Sequence, residues 1–199
     1  MILPEPYDRG SLSVEEAIKR RRTIRAFGTT PLKIEDLSQF LYAAQGITED
    51  CGYKRAAASG GALFPLDVYA VTGDKGIEGM DPGVYHYIPS GHRIEQTAAG
   101  DKRGSLAAAS LNQTWMTKAP LHLVITAEYS RITSRYGDRG IRYAMIEAGH
   151  VGQNIFLQAE ALGLKAGIVG AFDDREVLNI MGIPEKHEPL LIMPVGFRA

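Results

Sequence analysis

The sequence is short of several things that would place it quickly. One cysteine, Cys51, stands among 199 residues, so no internal disulfide framework exists and a reducing compartment is expected. No charge dominates: 22 Lys and Arg face 23 Asp and Glu, a formal net charge of −1. That balance gives no overall pull toward nucleic acid or an anionic membrane. Apolar runs fall far short of the roughly 18 residues of a membrane span. Residues 1–6, Met-Ile-Leu-Pro-Glu-Pro, lack the basic-then-apolar order of a signal peptide. A cytoplasmic, non-membrane protein is therefore the expectation.

Catalytic signatures are missing too. No Gly-x-Ser-x-Gly elbow, no Cys-x-x-Cys pair and no phosphate loop ending in Lys-Ser/Thr occurs, which removes the usual nucleophilic, thiol-redox and P-loop chemistries. No Gly-x-Gly-x-x-Gly follows a strand. A chain without a self-sufficient catalytic constellation suits an enzyme whose reactive group is a bound cofactor.

What is present reads as one α+β domain over residues 1–199. Hydrophobic residues make up 45% and charged residues 23%, an ordinary globular balance at a length that can bury a core. Ser13-Val14-Glu15-Glu16 is a capping box opening a helix to about Arg22. Leu37, Phe40, Leu41 and Ala44 recur at helical spacing over residues 34–45, with Gly46 placed to stop that helix. Residues 51–63 form a small-residue connection, and 65–71 a strand beginning at Pro65. Residues 84–88 and 92–95 suggest a hairpin around Pro89-Ser90-Gly91. Asp101 can cap a helix through Ala109. Residues 121–127 and 190–195 read as strands, 166–171 as a glycine-flanked strand, 141–162 as the longest helix and 173–181 as a short one. The hairpin and the irregular alternation favour α+β over a doubly wound sheet.

Three stretches carry polar chemistry. Lys19-Arg20-Arg21-Arg22-Thr23-Ile24-Arg25 holds five basic residues in seven, and arginine forks suit phosphate oxygens. A solvated helix face, a nucleic-acid patch or ion pairs with Glu15 and Glu16 would use the same residues. Ser59-Gly60-Gly61 would let backbone approach a ligand, or would simply form a loop. Glu147 and His150 share one helix face at i, i+3, a spacing seen in carboxylate-bridged metal sites. No second Glu-x-x-His exists, so no metal is expected, and buried hydrogen bonding is the better reading.

Taken in order, these pieces resemble FMN-dependent nitroreductases, and more closely their branch of SagB-type dehydrogenases related to azoline oxidases. The similarity runs from about Leu12 to Arg198. Arg21-Arg22-Thr23-Ile24-Arg25-Ala26-Phe27 is similar to an Arg-Arg-Ser-x-Arg-x-Phe signature. The resemblance implies that Arg21, Arg22 and Thr23 grip the FMN phosphate and ribityl chain, and that Arg25 lies by the flavin pyrimidine. The run from Arg55 to Tyr69 resembles a segment that reaches the flavin held mainly by the partner subunit, implying Ser59, Gly60 and Gly61 as contacts; Ala58 stands where that run has proline. Residues 135–143 and 147–154 match the SagB-type branch, in which a Lys-Tyr pair is implicated in proton removal. Tyr136 matches the tyrosine and would be the catalytic residue of such a dehydrogenase. The lysine position is Arg135, a very poor base, which counts against azoline oxidation.

Gly170 and Ala171 lie in a segment resembling the strand whose backbone faces flavin N5. Gln113 occupies a position that often bonds the isoalloxazine edge, and Arg198 the position of a basic residue returning to the phosphate. The resemblance implies a nitroreductase-like fold with a mainly antiparallel sheet flanked by helices, an intertwined homodimer with FMN at its interface, NADH or NADPH as donor, and a small-molecule acceptor. Nucleic acid and membrane are not expected partners.

Overall fold

The computed structural model describes residues 1–49 and 53–199; Cys51, the start of the expected small-residue connection, lies outside them. The elements in chain order are α1 (Val14–Arg20), α2 (Ile34–Gln45), β1 (Leu66–Thr72), β2 (Gly83–Ile88), β3 (Arg93–Ala99), α3 (Arg103–Ala109), β4 (Leu121–Ala127), α4 (Ser130–Tyr136), α5 (Arg139–Ala161), β5 (Lys165–Ala166), α6 (Asp174–Met181) and β6 (Glu188–Gly196). Short 3-10 turns at Gly60–Ala62 and Thr114–Lys118 join them.

Six strands form one sheet in the order β3-β2-β1-β4-β6-β5, and every paired neighbour is antiparallel. β4 sits centrally and all seven of its residues are buried. That explains its nearly continuous apolar run, since both faces are covered. Leu121, Leu123 and Ile125 join Leu66, Val68 and Ala70 of β1 in a core with α2 and α5. Val124 joins Tyr69, Val71 and Ile192 in a second core with α3 and α6. The sheet is thus the middle of three layers. Each fully buried leucine contributes about 1.5–3 kcal/mol. No helix among the described residues is long and apolar enough to cross a membrane.

Local chemistry sets most boundaries as read from the sequence. Ser13 Oγ accepts from the Glu16 amide at 3.2 Å, and the Asp36 carboxylate accepts from the Lys33 amide at 3.0 Å. α1 stops at Arg20, two residues before the expected Arg22, because residues 23–28 leave to pair elsewhere. Between β4 and α5 lies α4, which the sequence did not announce: only Ile132 within it is buried. Gly137, at φ +55°, ends α4. A Cβ on Gly140 would lie 3.0 Å from the Ile132 carbonyl, so a glycine there permits the tight α4–α5 turn.

The expected strand over 166–171 is a correction. Only Lys165 and Ala166 pair with β6, and Val169 makes one further bridge to Ile192. Past Ala166 contact with β6 becomes intermittent, the Gly167 amide donating to the Pro194 carbonyl at 2.8 Å and the Val169 amide to the Ile192 carbonyl at 2.8 Å. On the other edge Thr23 bridges Ala166, and the Ile24 amide donates to the Ala166 carbonyl at 3.0 Å.

Candidate ligand-binding site

The basic segment is held between two other parts of the chain. Beyond its pairing with Ala166, Phe27 bridges Arg198. The Gly28 amide donates to the Phe197 carbonyl at 2.9 Å, and the Ala199 amide to the Ala26 carbonyl at 3.3 Å. Sequence positions near both ends of the chain thereby share one backbone ladder.

Their side chains differ in what they do. Arg21, half-buried, lies 5.2 Å above the Phe156 ring of α5. Arg22 turns back, Nη1 donating to the carbonyls of Lys19 at 2.9 Å and Arg21 at 2.8 Å, which suits a cation at the end of a helix. Arg20 pairs with Glu16, so one of the ion pairs considered for this basic run does form. Arg21, Arg25 and Arg198 make no ion pair among the described residues, which leaves forked donors available for an anion.

Around Arg25 three separately noticed stretches come together. Its guanidinium lies 5.9 Å from the Trp115 ring; Phe27 stacks on Trp115 at 6.2 Å; Trp115 Nε1 donates to Gln113 Oε1 at 3.2 Å. Gly167 completes the group, since a Cβ there would meet the Ile24 carbonyl at 2.8 Å and Trp115 at 3.0 Å. Beyond it Gly170 and Ala171 are exposed, and neither amide donates to a protein acceptor among the described residues. Two free N–H groups, several unpaired guanidiniums and an aromatic ring suit a flat, anionic ligand. Trp115 was noted from the sequence only as a neighbour of Gln113; nothing local announced its central packing role.

A second group forms around the glycine-rich turn. The Tyr136 hydroxyl lies against Gly61, and Tyr143 lies against Gly60. The two tyrosines meet edge to face at 5.2 Å, with the Arg135 guanidinium 5.4 Å from the Tyr136 ring. Gly61, Ala62 and Phe64 all have positive φ, of 63°, 54° and 46°. Left-handed backbone at Ala and Phe is strained and persists only where the surroundings enforce it. Here Ser59 Oγ accepts from the Phe64 amide at 3.0 Å, and the Arg55 guanidinium covers the Phe64 ring at 4.1 Å.

Glu147 lies beneath this turn and is only 1% exposed. Gln45 Nε2 donates to its Oε1 at 3.2 Å, and Arg55 Nη1 donates to Gln45 Oε1 at 3.1 Å. Burial pushes the Glu147 carboxyl above its ordinary range, against the pull of Ser59, Gln45, Arg55 and His150. His150 is exposed, and its Nδ1 lies 3.2 Å from the Ala58 carbonyl. Asn154 donates to the carbonyls of Ala43 at 3.0 Å and Ala56 at 3.2 Å. Of the polar residues of α5, Glu147 makes the buried hydrogen bond expected of them, Asn154 bonds part-buried and His150 at the surface, and Asn154 ties the 55–59 segment to α2.

The densest ionisable cluster lies elsewhere. Asp67, Glu128 and His187 bring ligand atoms within 4.8 Å of one another. Arg131 already bridges both carboxylates, at 2.8 Å and 2.7 Å, and His86 bonds Asp67 at 3.0 Å. Burial pushes the Asp67 carboxyl up, but His86 and Arg131 outweigh it and hold it below its ordinary range. This is an internal ion-pair network.

Comparison with known proteins gives a consistent picture. Residues 18–197 match the model described as the Nitroreductase family. A Methanocaldococcus jannaschii protein named as a nitroreductase is 42% identical over 93% of this chain and 91% of its own. The Microcin B17-processing protein McbC of Escherichia coli is 27% identical over 83% of this chain and 62% of its own length. A crystal structure of a nitroreductase-like protein from Ralstonia eutropha superposes with a TM-score of 0.86 at 28% identity, covering 99% of this chain and 88% of that one.

Proposed function

Since this chain belongs to the nitroreductase family, we propose that it is an FMN-dependent oxidoreductase, a homodimer of single-domain subunits that uses NADH or NADPH to reduce nitroaromatic, quinone or similar conjugated acceptors. The observation carrying this reading is the ladder that joins Thr23 to Ala166 and Phe27 to Arg198. It brings the segments that carry Arg21, Arg25 and Arg198 onto one backbone ladder, with Arg25 beside Trp115.

In this reading Arg21, Arg22, Thr23 and Arg198 hold the phosphate and ribityl chain. Release of Arg22 from the Lys19 and Arg21 carbonyls accompanies its engagement. Arg25 and Gln113 lie along the ring edge, and Gly170 and Ala171 offer their amides to it. When bound, FMN supplies hydride and electron transfer in two half-reactions, donor first and acceptor second. The chain itself provides orientation, a cation at Arg25 against developing negative charge, and exclusion of water by Phe27 and Trp115.

Ser59, Gly60 and Gly61 act on the partner subunit's cofactor. Support comes from α5, which carries Phe156 under Arg21 and Glu147 under the glycine turn. Nine residues apart on a helix is about 13 Å, so the two groups form separate contact regions. Ile141, Met145 and Ile146 on α5 are 36%, 53% and 51% exposed, an apolar face of the kind that subunit contacts cover.

A second reading is favoured by Tyr136, whose hydroxyl has no hydrogen-bond partner among the described residues. A SagB-type dehydrogenase would oxidise an azoline-like substrate, with Tyr136 holding or moving the proton; Arg135 beside it is too weak a base to help. Anaerobic mixing of the yellow protein with NADH and NADPH separates the readings. Rapid bleaching with acceptor-dependent turnover supports the reductase. No bleaching by either nucleotide favours the dehydrogenase, and bleaching without turnover indicates a flavin-binding protein that does no catalysis.

A further inference from the structure

Glu147 is an acid at 1% exposure whose Oε2 has no hydrogen-bond partner among the described residues, and Arg55 Nε nearby is likewise unpartnered. A buried polar atom left unsatisfied costs roughly 1–3 kcal/mol, and a buried acid costs more when charged. An apolar residue would fill the same volume at less cost. What lies above it is the strained turn at Gly61, Ala62 and Phe64, on which three neighbours converge. The Ser59 hydroxyl accepts from the Phe64 amide and lies beside the Glu147 carboxyl. Arg55 covers the Phe64 ring and is held by Gln45, which also donates to Glu147. Arg131 Nη1 donates to the Phe64 carbonyl at 3.4 Å.

From this we infer that Glu147 is a positioning residue: through Ser59, Gln45 and Arg55 it holds the Ser59-to-Phe64 turn in its left-handed shape, and so sets how well that turn grips the cofactor. The inference rests on the flavin reading for its consequence, not for its geometry. The groups facing the carboxyl are Gln45 from α2, Arg55 and Ser59 from the connecting segment, and His150 from α5. The charged carboxylate accepts from Gln45 and attracts the nearby Ser59 hydroxyl and Arg55; the neutral acid holds them less firmly. FMN affinity therefore falls as pH drops through the raised range in which Glu147 takes up its proton.

The test uses the full chain with and without FMN, comparing wild type with Glu147→Gln and Glu147→Leu. Amide hydrogen exchange in the cofactor-free protein should accelerate tenfold or more at residues 60–64 in Glu147→Leu, with the amides of α5 unchanged. FMN affinity across the acidic range should fall more steeply in wild type than in Glu147→Gln, which lacks the titrating group; the FMN phosphate titrates in both, so the difference isolates Glu147. Unaltered exchange at 60–64, or the same pH profile in Glu147→Gln as in wild type, overturns the proposal. If Glu147→Leu fails to fold, the pH profile of Glu147→Gln decides alone. If wild type binds no FMN, the exchange arm still judges Glu147 while the flavin reading fails separately.

Discussion

The Tyr136 hydroxyl rests directly on Gly61: a Cβ built on that glycine would lie 2.6 Å from the tyrosine oxygen and 3.3 Å from its ring carbons. Gly61 also has φ +63°, so alanine there meets both a backbone penalty and a steric one. Gly61→Ala should destabilise the protein by about 1–3 kcal/mol, read as a lowered melting temperature. In a Tyr136→Phe background the closest contact is gone, and the same change should cost about 1 kcal/mol less. Equal costs in both backgrounds would mean that the hydroxyl does not press on the turn.

Gly167 makes a sharper demand, because its nearest neighbour is backbone. Gly167→Ala would push on the Ile24 carbonyl at 2.8 Å and on Trp115 at 3.0 Å. It should cost about 1–3 kcal/mol and lower flavin content by disturbing the ladder at Thr23. Gly170→Ala is the control for stability: no atom lies within 4 Å of its Cβ position, so its melting temperature should match wild type. A Gly167→Ala protein with wild-type melting and flavin content would contradict the packing described.

Much of this was legible in the sequence, for identifiable reasons. α2 matches the boundaries read from its periodicity, and β4 announced itself as an apolar run because both of its faces are buried. The segment 19–25 drew notice through its density of basic residues, five in seven. Other features depend on partners far away in the chain. Gln45 and Glu147 are 102 residues apart, so burial at Glu147 was inferable but its partner was not. α4 offers a single buried residue, Ile132, amid polar neighbours, too little for a periodic signal. The strand read over 166–171 keeps regular pairing with β6 only at Lys165 and Ala166 and then a single bridge at Val169, a detail set by residues 192–196 that no local pattern encodes.

His122 predicts an acid sensitivity. It is fully buried in β4, its Nε2 lies 3.0 Å from the Met116 carbonyl, and burial pushes its pKa down to about 4. A histidine whose folded pKa is depressed contributes stability that is present above its unfolded value. That contribution is lost as pH falls through the folded one. Between about pH 6.5 and 4 the wild type should therefore lose on the order of 3 kcal/mol relative to His122→Gln. Melting curves at stepped pH check this; parallel pH profiles would show that His122 does not titrate in that window.

The account turns on whether guanidiniums from the two ends of the chain serve one anionic ligand. The most direct measurement is the flavin content, by visible absorbance, of purified Arg21→Ala/Arg198→Ala beside wild type, with melting of the flavin-free proteins as a fold control. The account predicts yellow wild type and a colourless double variant, the two flavin-free proteins melting within a few degrees of each other. A folded double variant that retains wild-type flavin would contradict it.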